Sequence, residues 1–261
     1  MHWLLNNRNK DIPQHKQLNE NLLKFGISHS FCDVIPFRTS VEAMGIDLSG
    51  IEDVIFPFGS FSLAKALKNG TRGAAVFMSD NINLDVLRKN WGNEMFNADM
   101  VVGKLGELEP LSSEFFIRPN EDTKSMNAHV ITANDFRLYQ RKIKEQGDAL
   151  YSSLTSDTII VMSSPKHVEQ EYRFVIVDKQ VVGQSQYRQN GEPYMNALVD
   201  EYVIDYVKAI ISGWNPELVY VLDIAVNDSV CKVLEVNGIH ASGLYACDTQ
   251  KFIYAIEQLN L

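Results

Sequence analysis

The chain has 261 residues, 45% hydrophobic and 22% charged, which suits one large domain or two to three small lobes and excludes a disordered or membrane-built protein. Its formal net charge of −9 argues against a nucleic-acid partner, so any phosphate must be held by a few placed cations. Cys32, Cys231 and Cys247 lack metal-ligand spacing, no apolar run spans a bilayer, and the first residues lack a secretory core, so a cytoplasmic protein without a membrane partner is expected.

In chain order, Gln14 to Phe25 carries Leu18, Leu22 and Phe25 at helical spacing and is closed by Gly26. The run from Asp53 to Gly59 reads as a buried strand ending in a turn. Ser60 is the expected N-cap of a helix that buries Leu63, Ala64 and Leu67 and stops at Gly70. Strand, Gly-Ser turn and helix make an α/β lobe with a largely parallel sheet, over residues 1–85. Next comes a short apolar strand, Glu114 to Pro119, running into Arg118. A polar loop, residues 120–127, precedes a helix from Asp135 to Gln146, with Asn134 as its expected cap. The last third is antiparallel in character. Two hairpins flank an amphipathic helix with Val203, Tyr206, Val207, Ile210 and Ile211 on its apolar stripe. A final helix runs from about Thr249 to Leu259, capped by Asp248.

In the first hairpin, Gln170 to Val177 and Gln180 to Arg188 join through Asp178-Lys179. Pairing Val177 with Gln180 sends Tyr172, Phe174, Ile176, Val181 and Tyr187 to one face. Glu171, Arg173, Gln184, Gln186 and Arg188 go to the other. A solvent-facing hairpin fits that pattern too, although a carboxylate and two arginines gathered at one end is unusual. In the second hairpin, Val219 to Val226 turns at Asn227-Asp228-Ser229 into Val230 to Asn237. Both faces are largely apolar, and Asp223, Glu235 and Asn237 interrupt them. Pairing Val226 with Val230 puts all three on one face, with Asp223 diagonal to Glu235. Buried carboxylates are costly unless satisfied, and a hard cation such as magnesium satisfies them. Three polar residues facing water at a strand end remain the alternative.

These residues carry a resemblance that covers nearly the whole chain. It is most specific in Phe116 to Lys124, Glu171 to Phe174, Ser185 to Arg188, Leu222 to Ile224 and Val233 to Asn237. The sequence resembles the ATP-grasp superfamily, within it the phage and bacterial clade named for two arginines and a lysine. The resemblance implies an α/β and α+β chain of the ATP-grasp fold: an N-terminal α/β pre-grasp lobe (1–85), then a central lobe (86–158) and a C-terminal lobe (159–261) that clamp ATP. It puts Asp223, Glu235 and Asn237 on the magnesium-binding positions. Arg118 stands where most ATP-grasp enzymes keep a phosphate-contacting lysine, Lys124 lies in the loop over the phosphates, and Arg173 matches the γ-phosphate arginine. The resemblance implies Glu171 as a further nucleotide contact. Val161, Met162 and Ser163 resemble the edge strand and hinge whose backbone reads adenine.

One departure is that residues 120–126 contain no glycine, so Lys124 would do what a glycine-rich loop does elsewhere. GxxxxGK[ST] and GxGxxG fingerprints are both absent. The implied chemistry is an ATP- and Mg2+-dependent carboxylate–amine ligase acting through an acylphosphate, on small-molecule, peptide or protein-tail substrates. Arg118, Lys124 and Arg173 would take up developing charge, and Arg188 would hold the carboxylate. A phosphotransferase on the same fold and an ATP-binding module without catalysis are the alternatives. His240 and Cys247 read as structural residues rather than catalytic ones.

Overall fold

Short apolar runs broken by tight polar turns build three sheets, and side-chain alternation decides which core each strand feeds. The structure, a computed structural model, describes residues 1–35, 38, 40–70, 73–121, 126–146 and 154–261. β1 (His2–Asn6) pairs in parallel with β2 (His29–Cys32) on one side and with β3 (Ile55–Phe58) on the other. β1 and β3 are buried on both faces, as parallel strands covered by helices are. Trp3, Leu5, Phe56 and Phe58 enter one core, while Leu4 and Ile55 enter another. α1 (Pro13–Lys24) fills the first with Leu18 and Leu22. α2 (Val41–Met44) and α3 (Phe61–Gly70) fill the second with Val41, Met44, Leu63 and Leu67. Ser60 caps α3, its hydroxyl accepting the Leu63 N–H at 3.2 Å.

α4 (Leu84–Trp91) follows. Then β4 (Val101–Lys104), β5 (Glu114–Pro119), β6 (His129–Thr132), α5 (Ala133–Gln146) and β7 (Ile159–Ser163) form an antiparallel sheet in the order β4-β7-β5-β6 with one helix on it. Phe136 and Ile143 of α5 pack with Phe115, Ile117, Ile160 and Met162. Two expectations are corrected here. The cap of α5 is Thr132 rather than Asn134: its hydroxyl accepts the Asp135 N–H at 3.1 Å and donates to the Asp135 carboxylate at 2.7 Å. β7 is an interior strand rather than an edge, paired with β4 through Met162↔Val101 and with β5 through Met162↔Ile117. A break at residue 158 would therefore cut this sheet, which continues through Ser163.

β8 (Gln170–Val177), β9 (Gln180–Gln189), β10 (Glu192–Asn196), α6 (Glu201–Ser212), β11 (Val219–Asn227) and β12 (Val230–Gly238) supply the third unit, and α7 (Thr249–Glu257) ends it. The strands form an antiparallel sheet in the order β10-β9-β8-β11-β12. One face carries Tyr172, Phe174, Ile176, Leu222 and Ile224 against α4 and the Val203, Val207 and Ile211 stripe of α6. The other face carries Val175, Val177, Val219 and Val221, which join Trp3, Phe56 and the α7 residues Phe252, Ile253 and Ile256 in one core. The N-terminal sheet and the last third of the chain thus share a hydrophobic core. Among the described residues, no helix is long and apolar enough to cross a membrane.

Candidate functional site

The polar cluster forms where the shared-core face of the five-stranded sheet runs out of valines. Val177↔Gln180 starts the first hairpin as its turn predicts. β9 then bulges twice, after Ile176↔Val181 and after Tyr172↔Gln186, so that Val182 and Tyr187 each stand as an extra residue. The first bulge pairs Gln184 with Phe174 and Gln186 with Tyr172, on the apolar face, correcting the alternation expected from sequence. The second restores Arg188 to a place opposite Glu171 and frees Tyr187 to turn toward the site. Its hydroxyl donates to Glu171 at 2.6 Å, and Arg188 Nη1 approaches the same carboxylate at 3.4 Å.

The second hairpin also departs from expectation. Its turn has two residues, Asp228 and Ser229, with Asn227↔Val230 and Val226↔Cys231. That register alone would put Asp223 and Glu235 on opposite faces. A bulge at Leu234 shifts it, giving Asp223↔Glu235 and Val221↔Asn237, directly opposed rather than diagonal. Asp223, Glu235 and Asn237 do share one face, for a different reason than the turn suggested.

Arg173 lies opposite Asp223 on the neighbouring strand β8. Its guanidinium grips the carboxylate with two bonds, Nε to Oδ1 at 2.9 Å and Nη2 to Oδ2 at 2.7 Å. Asn237 Nδ2 donates to Asp223 at 3.2 Å and to Glu235 at 2.9 Å. From the separate four-stranded sheet, Arg118 reaches across and donates to Glu235 through Nη1. Asp223 is fully buried, which pushes its carboxyl up to about 6 against the pull of Arg173. Burial opposes ionisation of Glu235 as well, yet Arg118, with the Asn237 amide, holds it below the usual glutamate value.

The stacking of two tyrosines on Arg173 was not legible in the sequence. Tyr245 and Tyr187 stack 5.0 Å apart with an interplanar angle of 7°. Arg173 lies 4.9 Å from the Tyr245 ring and 5.3 Å from the Tyr187 ring. Gly243 offers its carbonyl to Arg173 Nη1 at 3.1 Å. The loop bearing Gly243 and Tyr245 is held from the N-terminal lobe: the Tyr245 N–H donates to Gln14 at 2.7 Å, and the Gly59 and Ser60 N–H groups donate to the His240 carbonyl. Gly59 sits at φ +91°, and a Cβ there would meet Asn9 at 3.0 Å and His15 at 3.1 Å, so glycine is required. His240 is buried as a structural residue, while Cys247 is buried with its thiol pushed up to about 12.

Val161 and Met162 are buried in the sheet interior, with backbone partners on both sides, and Ser163 ends the strand. Just past β7, the Asp99 carboxylate accepts the Ser164 N–H at 2.9 Å and the Ser164 hydroxyl at 2.5 Å. Lys124 lies outside the described residues.

The donor set suits a hard cation: two opposed carboxylates and an amide, all oxygen ligands once the Asn237 amide presents Oδ1. Among the described residues, no group of three His, Cys, Asp or Glu could hold a metal ion, so Asn237 would have to complete the set. Arg118 Nε is buried without a hydrogen-bond acceptor among the described residues. A buried guanidinium N–H beside this cluster calls for an acceptor.

Comparisons with known proteins identify the family and the fold. The ATP-grasp domain, family 2 of the clade named for two arginines and a lysine, matches residues 97–255. Similar folds occur in the D-alanine–D-alanine ligase of Bacillus anthracis complexed with ATP (13% identity, TM-score 0.59, 98% of this chain and 96% of that one). The RimK domain ATP-grasp protein of Sphaerobacter thermophilus is similar too (11%, 0.60, 93% and 92%), as is the ATP-grasp ligase PsnB complexed with minimal precursor (12%, 0.55, 98% and 97%). At such identities the likeness is one of fold. No curated protein matches in sequence. With the match spanning more than half the chain and taking in every charged residue of the cluster, the protein belongs to the ATP-grasp family, in the clade named for two arginines and a lysine.

Proposed function

We propose that the chain is an ATP-dependent ligase that activates a carboxylate by phosphoryl transfer and joins it to an amine. The observation that carries this reading is the convergence of Arg118, from one sheet, on Glu235, Asp223, Asn237 and Arg173 of another. A triphosphate and a carboxylate repel each other, so a site that brings them together must supply fixed positive charge along the line of transfer. Arg118 and Arg173 would supply it, the first with an N–H still lacking an acceptor. Arg188, beside Glu171 and about half exposed, would hold the acceptor carboxylate, and Glu171 would take a polar contact from the nucleotide. Adenine would lie at the C-terminal end of β7, where Ser163 and Ser164 leave the sheet. Asp223, Glu235 and Asn237 would hold magnesium, which neutralises phosphate oxygens when bound. The N-terminal lobe and the loop after β12 would present the second substrate.

Replacing Glu235 with Ala should lower ATP turnover by about 100-fold or more, the scale of removing one preorganised charge partner, while circular dichroism shows a folded protein. Unchanged turnover in the folded variant would remove Glu235 from the site. Adding hydroxylamine to the wild type separates the chemistries: a hydroxamate marks an activated carboxylate, whereas a stable phosphorylated acceptor marks a phosphotransferase.

A further inference from the structure

α5 carries Arg137, Arg141 and Lys144 at spacings of four and three residues, which brings them onto one stripe of the helix. With Gln140, Gly106 and Ser156 they line a cavity of about 320 Å³. Like charges at these spacings repel, and among the described residues none of the three makes an ion pair. Glu107 and Asp157, which follow Gly106 and Ser156 in sequence, are both turned to Lys104, at 3.7 and 2.8 Å, and Glu145, four residues beyond Arg141 on α5, makes no ion pair among the described residues.

The cavity floor is fixed in advance. The Gly106 N–H donates to the Ser156 carbonyl at 2.9 Å. Gln140 spends both amide hydrogens on the Leu105 and Leu108 carbonyls, at 2.7 and 2.8 Å, tying α5 to the turn after β4. A Cβ on Gly106 would come within 2.8 Å of Ser156 Cβ, so the two walls meet there without a side chain between them.

We propose that this cavity binds a small anion with two or more phosphoryl charges, at a site separate from the nucleotide cluster. Its volume lies at the small end of ligand pockets, and its three cations face one concavity rather than forming a track. The net charge of −9 further disfavours a nucleic-acid backbone, which would feel the whole molecule's field.

The test is calorimetric titration of the full chain with inorganic pyrophosphate, in the presence of magnesium and a saturating non-hydrolysable ATP analogue that fills the nucleotide site. One further site is expected, weakening at least tenfold when Arg137 and Arg141 are both changed to Gln and unaffected by Glu235→Ala. The proposal fails if the wild type shows no binding beyond the analogue, or if the double variant binds pyrophosphate as tightly as the wild type. It also fails if a short oligonucleotide binds at these arginines more tightly than pyrophosphate does. Because the Glu235 variant reports on the nucleotide cluster alone, failure there leaves this result readable.

Discussion

A neutral imidazole has one donor and one acceptor, and His240 uses both in the buried junction between the N-terminal sheet and the loop after β12. Nδ1 bonds the Pro57 carbonyl at 2.7 Å, and Nε2 accepts the Phe77 N–H at 2.8 Å. A protonated ring would turn a second N–H against that of Phe77, and burial alone already disfavours the charge, so its pKa falls to about 4. The sign follows directly. The unfolded chain takes up this proton near the ordinary histidine value of 6.5 and the folded chain only near 4. The stability contributed by a neutral His240 is therefore complete above pH 6.5 and is lost as the pH falls toward 4. Urea denaturation should show about 2 kcal/mol lost between pH 7 and pH 5 from this residue. A His240→Gln variant, which does not titrate there, should lose that much less over the same interval. Equal pH dependence in both proteins would exclude His240 as the cause. The residue read as structural from sequence because nothing beside it formed a catalytic pair, and its two backbone partners give that reading its physical content.

Among the elements, α4 shows how a distant segment completes local structure. Asn83, at its N-cap, makes no side-chain cap bond. The cap comes instead from Asn120, just past Arg118 and Pro119: its Oδ1 accepts the Asp85 N–H at 3.0 Å, its Nδ2 donates to Asp85 at 2.7 Å, and its carbonyl accepts the Leu84 N–H at 3.2 Å. Asn120→Ala should therefore cost about 1–2 kcal/mol in chemical denaturation. It should also lower turnover, because Asn120 anchors the strand end that carries Arg118. A variant with wild-type stability would show that α4 needs no cap from this strand. Such long-range caps are invisible to periodicity, as are β-bulges. The apolar stripes of α1, α3 and α6 were legible because helical spacing is local. The faces of β9 and β12 were not, because one extra residue inverts every side chain beyond it. Glu171, Arg173 and Arg188 were grouped correctly since two bulges cancel across them, whereas Gln184, Gln186 and Tyr187, between the bulges, were not. Asp223, Glu235 and Asn237 were grouped through an assumed three-residue turn, and the Leu234 bulge supplies the same parity by another route. Tyr245 had no local signal, since its place against Arg173 depends on a loop held by Gln14 from the far end of the chain.

At the scale of the molecule, the four-stranded sheet meets the five-stranded sheet through unlike contacts. Val161 enters the apolar core with Tyr172 and Leu222, and in the segment that leads into β4 the Phe96 N–H bonds the Val233 carbonyl at 2.7 Å. Arg118 and Glu235 add an ionic contact at the cluster itself. An apolar contact holds the sheets together with or without ligand, whereas an ion pair is open to competition: under the proposed function an arriving phosphate would take the guanidinium and a cation would take the carboxylate. Removing Arg118 therefore has two separable consequences. Without ligand, Glu235 keeps its partial burial but loses its counter-charge, so Arg118→Ala should lower stability by about 1–3 kcal/mol. With ligand, the proposed function requires a second loss. A ligand at 100 times its Kd stabilises by about 2.7 kcal/mol, roughly 5–10 °C in Tm for a chain of this size. The wild type should show that shift with magnesium and a non-hydrolysable ATP analogue, and Arg118→Ala should show less of it at the same concentration. Were Arg118 only a strut between sheets, the variant would melt lower yet gain the full ligand-induced shift. Thermal denaturation of both proteins, with and without the analogue, thus distinguishes a phosphate-contacting arginine from a purely structural one.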